Sequence, residues 1–169
     1  MVDYDRHIRR GHPITFGLII LFAIIELAIA SWLVSRFNAH HNYFSTDERD
    51  RTRFLLFTSI WTIFFSFLYM LLFLHSASSG SVLTSVGSHG VFMFLTWIFW
   101  LAGAAAITDT LNGGLNCGTG VIYCDQLNAL EAFAWVETVL VTFALVVVTL
   151  RGVSSSRRGD GIRGQMVSV

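Results

Sequence analysis

The segment PITFGLIILFAIIELAIASWLVS, residues Pro13–Ser35, decides the fold class of this chain. A helix needs about 20 consecutive apolar residues to cross the hydrocarbon core of a bilayer. A secretory signal peptide has a shorter apolar run, of about 7–15 residues, and a small-residue cleavage site after it. This segment has neither feature, so we interpret it as a retained membrane span despite Glu26. Three comparable runs follow, at residues 54–74, 86–108 and 127–150.

Four spans predict an all-α integral membrane protein, because helices satisfy their own backbone hydrogen bonds inside lipid. We expect an antiparallel four-helix bundle over residues 13–150, with tails at 1–12 and 151–169. Hydrophobic residues make up 54% of the 169-residue chain and charged residues 13%, against about 25% charged in soluble domains. The net charge of zero gives no support for a nucleic-acid partner.

The arginines predict the orientation of the spans. Seven lie in the two tails and four in the connection between spans 1 and 2, which favours both tails in the cytoplasm. Arginines close to a membrane surface also interact with anionic lipid headgroups. The candidates for headgroup contact are Arg9, Arg10, Arg151, Arg157 and Arg158.

Cys117 and Cys124 lie in a glycine-rich connection that this topology places outside the cytoplasm. Disulfides persist in that compartment, and closing so short a loop stabilises a fold by about 2–3 kcal/mol. Two free thiols are the alternative. A zinc site needs four ligands, so we predict a disulfide and no metal.

In the connection between spans 1 and 2, Ser45 and Glu48 have the spacing of a capping box that begins the second helix.

Glu26 and Glu137 fall inside spans, each roughly 20 Å from the cytoplasmic edge at 1.5 Å per residue. We therefore predict an intramembrane pair in one layer of the bundle. One interpretation, which we favour, is a polar staple that holds helices together. The other is a proton or cation site of a channel or carrier. The expected hydrogen-bond donors to the two acids are Thr62, Ser66, Thr96, Trp97 and Trp100.

Small residues on the third span predict close helix packing there. Ala102, Gly103 and Ala106 lie on a stretch with small-xxx-small spacing, which lets two helix backbones approach. The packing partner, within one bundle or in a second copy, is left open. No motif of a hydrolase, a nucleotide-binding protein or a metalloenzyme occurs, so we predict a protein that is not an enzyme and needs no cofactor.

Five segments of the chain together have a recognisable family pattern. They are HPITFGLIILFAIIELAIASWLVSRFN, DRTRFLLFTSIWT, SGSVLTSVGSHGVFMFLTWIFWLAGAAAIT, GGLNC and CDQLNALEAFAWVE. These segments resemble the MARVEL-domain family, in particular its small basidiomycete fungal members, and the resemblance covers about residues 12–150. It implies a four-helix bundle related in architecture to synaptophysin and occludin, and a role in membrane organisation or vesicle trafficking.

From these observations we expect a membrane-organising protein that shapes, sorts or apposes membrane. Its expected partners are membrane lipids and further copies of itself, and its expected location is the plasma membrane or secretory and endosomal vesicles. The alternatives are a channel or carrier that uses Glu26 and Glu137, and a membrane protein that binds a lipid or sterol.

Overall fold

A computed structural model of the chain describes residues 4–75 and 86–157. The described residues form four long helices and one short 3-10 turn at Cys117–Thr119. Each long helix contains a stretch that is long and apolar enough to cross a membrane. The chain is therefore a multi-pass integral membrane protein. The helices are α1 (Tyr4–His40), α2 (Thr46–His75), α3 (Val86–Thr110) and α4 (Cys124–Arg157).

The helices extend beyond the apolar runs, because flanking polar residues continue the helical turns. α2 begins eight residues before Phe54, where its apolar run starts. Its first turn is a capping box: the Ser45 hydroxyl accepts from the Glu48 amide at 3.1 Å, and the Glu48 carboxylate accepts from the Phe44 amide at 2.6 Å. α1 likewise includes most of the predicted N-terminal tail, since it begins at Tyr4.

A left-handed turn ends α3. The Gly113 amide donates to the Thr108 carbonyl at 2.9 Å, with Asn112 at φ 52° and Gly113 at φ 83°. This is the Schellman pattern, in which the chain leaves the helix through residues that tolerate positive φ. The chain then enters the loop that carries the cysteines.

The buried residues of α1 follow one narrow stripe, with spacings that alternate between three and four residues. This heptad spacing is typical of helices that pack side by side in a supercoiled bundle. The same alternation recurs on the other three helices. On α1 the stripe consists of Phe16, Ile19, Ala23, Glu26, Ala30, Leu33 and Phe37.

The stripe on α2 is mostly polar, whereas its outward face is apolar. Lipid tails are as apolar as leucine, so apolarity does not distinguish the inside of a membrane bundle from its outside. Polar residues do distinguish the inside from the outside, since an unpaired polar group that faces lipid is costly. The buried α2 residues are Glu48, Thr52, Leu55, Thr58, Ser59, Thr62 and Ser66, and the exposed ones include Phe57, Ile60, Phe64, Phe67 and Leu71.

The main neighbours of each helix place the four in a ring. α1 packs against α2 and α4, and α3 packs against the same two helices. The first turns of α2 lie against the last turn of α3, where Arg51 contacts Asp109 at 2.9 Å. At the other end of the same two helices, the Tyr69 hydroxyl contacts Ser88. The seam between α1 and α4 closes the ring.

Candidate functional site

Glu26 of α1 and Glu137 of α4 meet at the seam between the first and last helices. Both side chains are fully buried, and their carboxyl groups lie close enough to interact electrostatically. Glu137 also approaches the backbone of Ala23, one turn before Glu26. Near this level, the rings of Phe22 and Phe133 pack with centroids 6.0 Å apart. Counted from His40 and from Cys124, both acids lie about 20 Å along their helices.

Neither acid is hydrogen-bonded to another described residue. All four carboxyl oxygens of Glu26 and Glu137 are buried without a hydrogen-bond partner within 4–75 and 86–157. A buried polar group in this state costs about 1–3 kcal/mol, and more if it is charged. The structure thus brings the two acids together, and no described residue donates a hydrogen bond to either carboxyl group.

None of the hydrogen-bond donors expected for these acids bonds to them, so that expectation was wrong. The Ser66 hydroxyl has no hydrogen-bond partner among the described residues, and the other four side chains bond elsewhere. The Trp100 indole donates to Thr62 at 2.9 Å, and the Trp97 indole donates to Thr142 at 2.9 Å. The Thr96 hydroxyl accepts from the Trp61 indole at 3.1 Å. These bonds join α2 to α3 and α3 to α4, because each indole lies opposite a hydroxyl of the neighbouring helix.

Cys117 and Cys124 form a disulfide, with their Cα atoms 5.4 Å apart. Asn128 fixes this loop to α4: its side-chain oxygen accepts from the Leu115 amide at 2.8 Å, and its amide group donates to the Leu115 carbonyl at 2.9 Å. The loop also reaches α1, since the Tyr123 ring packs edge-on against Trp32 at 5.1 Å. The disulfide, the Asn128 hydrogen bonds and the Tyr123–Trp32 contact together hold the α1–α4 seam at the end where the cysteine loop lies.

Tyr123 also ties the cysteine loop to the connection between α1 and α2. Its hydroxyl accepts from the Asn42 side chain at 2.9 Å, and its ring lies 6.2 Å from that of Phe37. Tyr123 has a φ of 58°, a left-handed backbone conformation that non-glycine residues rarely adopt. Tyr123 was not among the residues predicted from the sequence, although an aromatic residue directly before the second cysteine was a usable signal.

Arg51 holds the first turns of α2 against the last turn of α3. Its guanidinium group donates to the Asp109 carboxylate at 2.9 Å and to the Thr110 hydroxyl at 2.6 Å. It also donates to the Ala106 carbonyl. The neighbouring ion pairs, Arg49 with Asp50 and Arg53 with the same acid, lie at the surface and stabilise little.

Gly103 is the tightest point of the α2–α3 contact. A Cβ atom built on Gly103 would lie 2.6 Å from Cδ2 of Leu55 and 3.4 Å from Cδ1 of Phe54. Ala102 lies on the exposed side of α3, since one residue rotates a helix by about 100°. Ala106 is half-buried. Of the three small residues, Gly103 is therefore the one that lets α2 approach within this chain.

A second buried polar cluster lies near the other end of α2 and α3. His89 is fully buried, and its ring packs at 4.6 Å against Tyr69. Ser66 is fully buried on α2. His89 lies in the first turn of α3, which begins at Val86. The heptad spacing of Thr52, Ser59 and Ser66 in an otherwise apolar segment was the signal for this polar interior.

The arginines predicted to contact headgroups are placed only in part. Arg9 and Arg10 lie on α1, and Arg151 and Arg157 lie on α4, but their side chains are outside the described residues. Arg158 is itself outside the described residues.

Comparison with known protein families identifies a match. The model of the MARVEL family, a membrane-associating domain, matches residues 7–147. No curated protein and no solved structure matches the chain. The matched range begins in the first turns of α1, ends in the last third of α4 and contains both intramembrane acids and both cysteines.

Proposed function

Because the chain belongs to the MARVEL family of membrane-associating domains, we propose that it is a membrane-organising protein that packs laterally and shapes, sorts or apposes membrane. This is a membrane-associating family and not an enzyme family. In the arrangement we propose, the four helices are antiparallel and both tails lie in the cytoplasm. The excess of arginines in the tails supports that orientation.

The outward faces of the four helices carry this proposal. Large apolar side chains are exposed on every helix, whereas the buried polar residues are enclosed at the helix seams. A surface of this kind is suited to contacts with lipid and with other membrane helices. Exposed examples are Ile14, Leu18, Leu21 and Ile24 on α1; Phe57, Phe64 and Phe67 on α2; Val91, Phe94 and Ile98 on α3; and Val139, Phe143 and Val146 on α4.

An aromatic patch on α2 and α3 is the part of this surface that we assign to lateral contact with a second copy. Phe57 and Phe64 are 49% and 63% exposed. Behind them, the Trp61 ring packs against Phe65 at 4.3 Å and against Phe99 at 5.5 Å. Rings that are already ordered lose little conformational freedom when a partner covers them, which favours association.

The lipid contacts, the compartment and the fungal origin belong to the same proposal. We assign the tail arginines to anionic headgroups of the cytoplasmic leaflet. The proposed location is the plasma membrane or secretory and endosomal vesicles. These membranes separate an oxidising exterior or lumen from the cytoplasm, and a disulfide persists on the oxidising side. The resemblance to small basidiomycete proteins supports a fungal source.

Energy transfer between labelled copies in proteoliposomes tests the proposal. Donor- and acceptor-labelled protein is reconstituted together and diluted stepwise with lipid. We expect transfer to stay above the level of randomly distributed monomers on dilution. The variant F57L/F64L should lower it, whereas I14L, on the exposed face of α1, should not. Transfer at the random level for the unaltered protein would refute lateral packing.

A channel or carrier that uses Glu26 and Glu137 is the second candidate, favoured by the burial of two unpartnered acids. The same proteoliposomes distinguish it. Proton or cation flux that disappears in E26Q/E137Q would establish transport. Flux equal to that of empty vesicles would exclude it. Lipid or sterol that co-purifies with the protein in fixed stoichiometry would instead support the third alternative, a lipid-binding protein.

A further inference from the structure

The buried acids at the α1–α4 seam require a ligand that the described residues do not supply. An ionised carboxylate inside a membrane costs several kcal/mol unless it is paired. Two ionised carboxylates that face each other add like-charge repulsion. Glu26 and Glu137 are fully buried, interact electrostatically and have no described hydrogen-bond donor. A positively charged species must therefore accompany them.

The described arginines cannot be that species. Arg49, Arg51 and Arg53 lie in the first turns of α2 and pair with acids there. Arg36 is stacked over the Trp32 ring, with 5.2 Å between its guanidinium carbon and the ring centroid. It lies ten residues beyond Glu26, which is about 15 Å along the helix.

The titratable groups on the packed helices also lie away from the pair. On α2 and α3 the buried ones are Glu48, in the first turn of α2, and His89, in the first turn of α3. α4 carries Asp125 in its first turn and Glu131, which accepts from the Thr108 hydroxyl at 2.8 Å. At the depth of the pair, the buried polar groups of α2 and α3 are hydroxyls and an indole, namely Ser59, Thr62, Thr96 and Trp100.

A proton fits the site better than a metal ion does. Ca²⁺ takes about 6–8 oxygen ligands, and two carboxyl groups provide at most four. Within the described parts of the chain, no group of three or more His, Cys, Asp or Glu residues is arranged to hold a metal. One proton, in contrast, turns one acid into a donor for the other and removes one of the two charges. Hydrogen bonds between a carboxylic acid and a carboxylate are short and strong.

We propose that Glu26 and Glu137 form a proton-binding site, in which the two carboxyl groups hold at least one proton between them while α1 and α4 are packed. The proton occupies the position that a hydrogen-bond donor would take, so it links the first helix to the last. The step is a proton transfer: as the bundle assembles, a carboxylate takes a proton from hydronium or a buffer acid in the surrounding solution, which is left as water or the buffer base. This proposal is independent of lateral packing, because it concerns the inside of one bundle.

Infrared spectroscopy of the full-length protein in lipid tests this directly. A protonated carboxyl group absorbs as a carbonyl band that is separate from the carboxylate bands and shifts in D₂O. We expect this band at neutral pH in the wild type and its loss in E26Q/E137Q. E131Q is the matched control, because it makes the same chemical change on α4 at a half-buried acid with its own hydrogen-bond donor.

Two results would overturn the proposal. A band that is unchanged in E26Q/E137Q would place the proton elsewhere. The absence of the band from the wild type would show that the pair holds no proton, and Na⁺ or Ca²⁺ bound in equilibrium dialysis would then identify a metal cation as the ligand.

Stability against pH is a second and independent readout. The packed bundle keeps a proton that the separated helices release, so the free energy of unfolding must fall as pH rises. We expect this alkaline loss in the wild type and in E131Q, and its absence from E26Q/E137Q. The same alkaline loss in the double variant would contradict the proposal. Glutamine has nearly the size of glutamate and carries its own hydrogen-bond donor. We therefore expect α1 and α4 to stay packed in the variant, so that its free energy of unfolding can be measured.

Discussion

Replacement of Gly103 by alanine tests the close contact between α2 and α3. The new Cβ atom would lie 2.6 Å from Cδ2 of Leu55, which is itself fully buried and has to move. Overpacking of this kind costs about 1–3 kcal/mol. The same substitution also gains about 0.5–1 kcal/mol, because alanine favours a helix more than glycine does.

Gly17 on α1 provides the matched control. It is exposed, and a Cβ atom there would have nothing within 4 Å. G17A therefore has the helix-propensity gain without the clash. The difference in unfolding free energy between G17A and G103A isolates the overpacking cost, which we expect to be about 1–3 kcal/mol.

Reversible unfolding in detergent micelles, followed by circular dichroism, measures this difference. A double-mutant cycle with L55A adds a second test, since removal of the Leu55 methyl groups leaves room for the new Cβ. We expect a favourable coupling energy of about 0.5–3 kcal/mol between G103A and L55A. Equal stability of G103A and G17A, with no coupling to L55A, would refute the packing described for this seam.

Three further predictions concern the contacts that hold the helix ends and seams. Reduction of the Cys117–Cys124 disulfide, or the variant C117S/C124S, should destabilise the protein by about 2–3 kcal/mol, because the closed loop restricts the unfolded chain. Thermal unfolding with and without reductant measures this loss of stability. Equal unfolding midpoints in the two conditions would contradict the prediction. R51M should lower the free energy of chemical unfolding by about 1.5–3 kcal/mol, since Arg51 bonds to Asp109 and Thr110 of α3. The control R53M, at an exposed ion pair, should change it by less than about 1 kcal/mol. Equal effects of the two variants would contradict the role of Arg51 in joining α2 to α3. W100F removes the buried hydrogen bond to Thr62 and should lower the free energy of unfolding by about 0.5–1.5 kcal/mol or more. T62V should have little further effect in the W100F background. Full additivity of the two stability losses would show that the residues do not interact.

The four spans were predictable because lipid demands long apolar helices, and each predicted run lies within one observed helix. The cysteine pairing was predictable because the chain has two cysteines, seven residues apart, which leaves few alternatives. The helix ends were less accessible. Nothing in the apolar pattern marks Tyr4 or Arg157, where polar turns continue the helices.

The inside of the bundle was harder to predict than its outline. Depth alone places Glu26 beside Glu137, but it does not show which way Trp97 or Trp100 points, and the donors assigned to the acids were wrong for that reason. Side-chain direction depends on helix rotation, which in a membrane is set by packing rather than by an apolar stripe. The regular spacing of Thr52, Ser59 and Ser66 does report this rotation, because buried hydroxyls repeat every seven residues.

We propose that this protein acts by lateral association of its copies in a lipid bilayer. The most direct measurement is energy transfer between labelled copies as the lipid-to-protein ratio is increased. We predict transfer that stays above the random level on dilution and falls in F57L/F64L but not in I14L. Transfer that follows the random-monomer curve for the wild type at every dilution would contradict it.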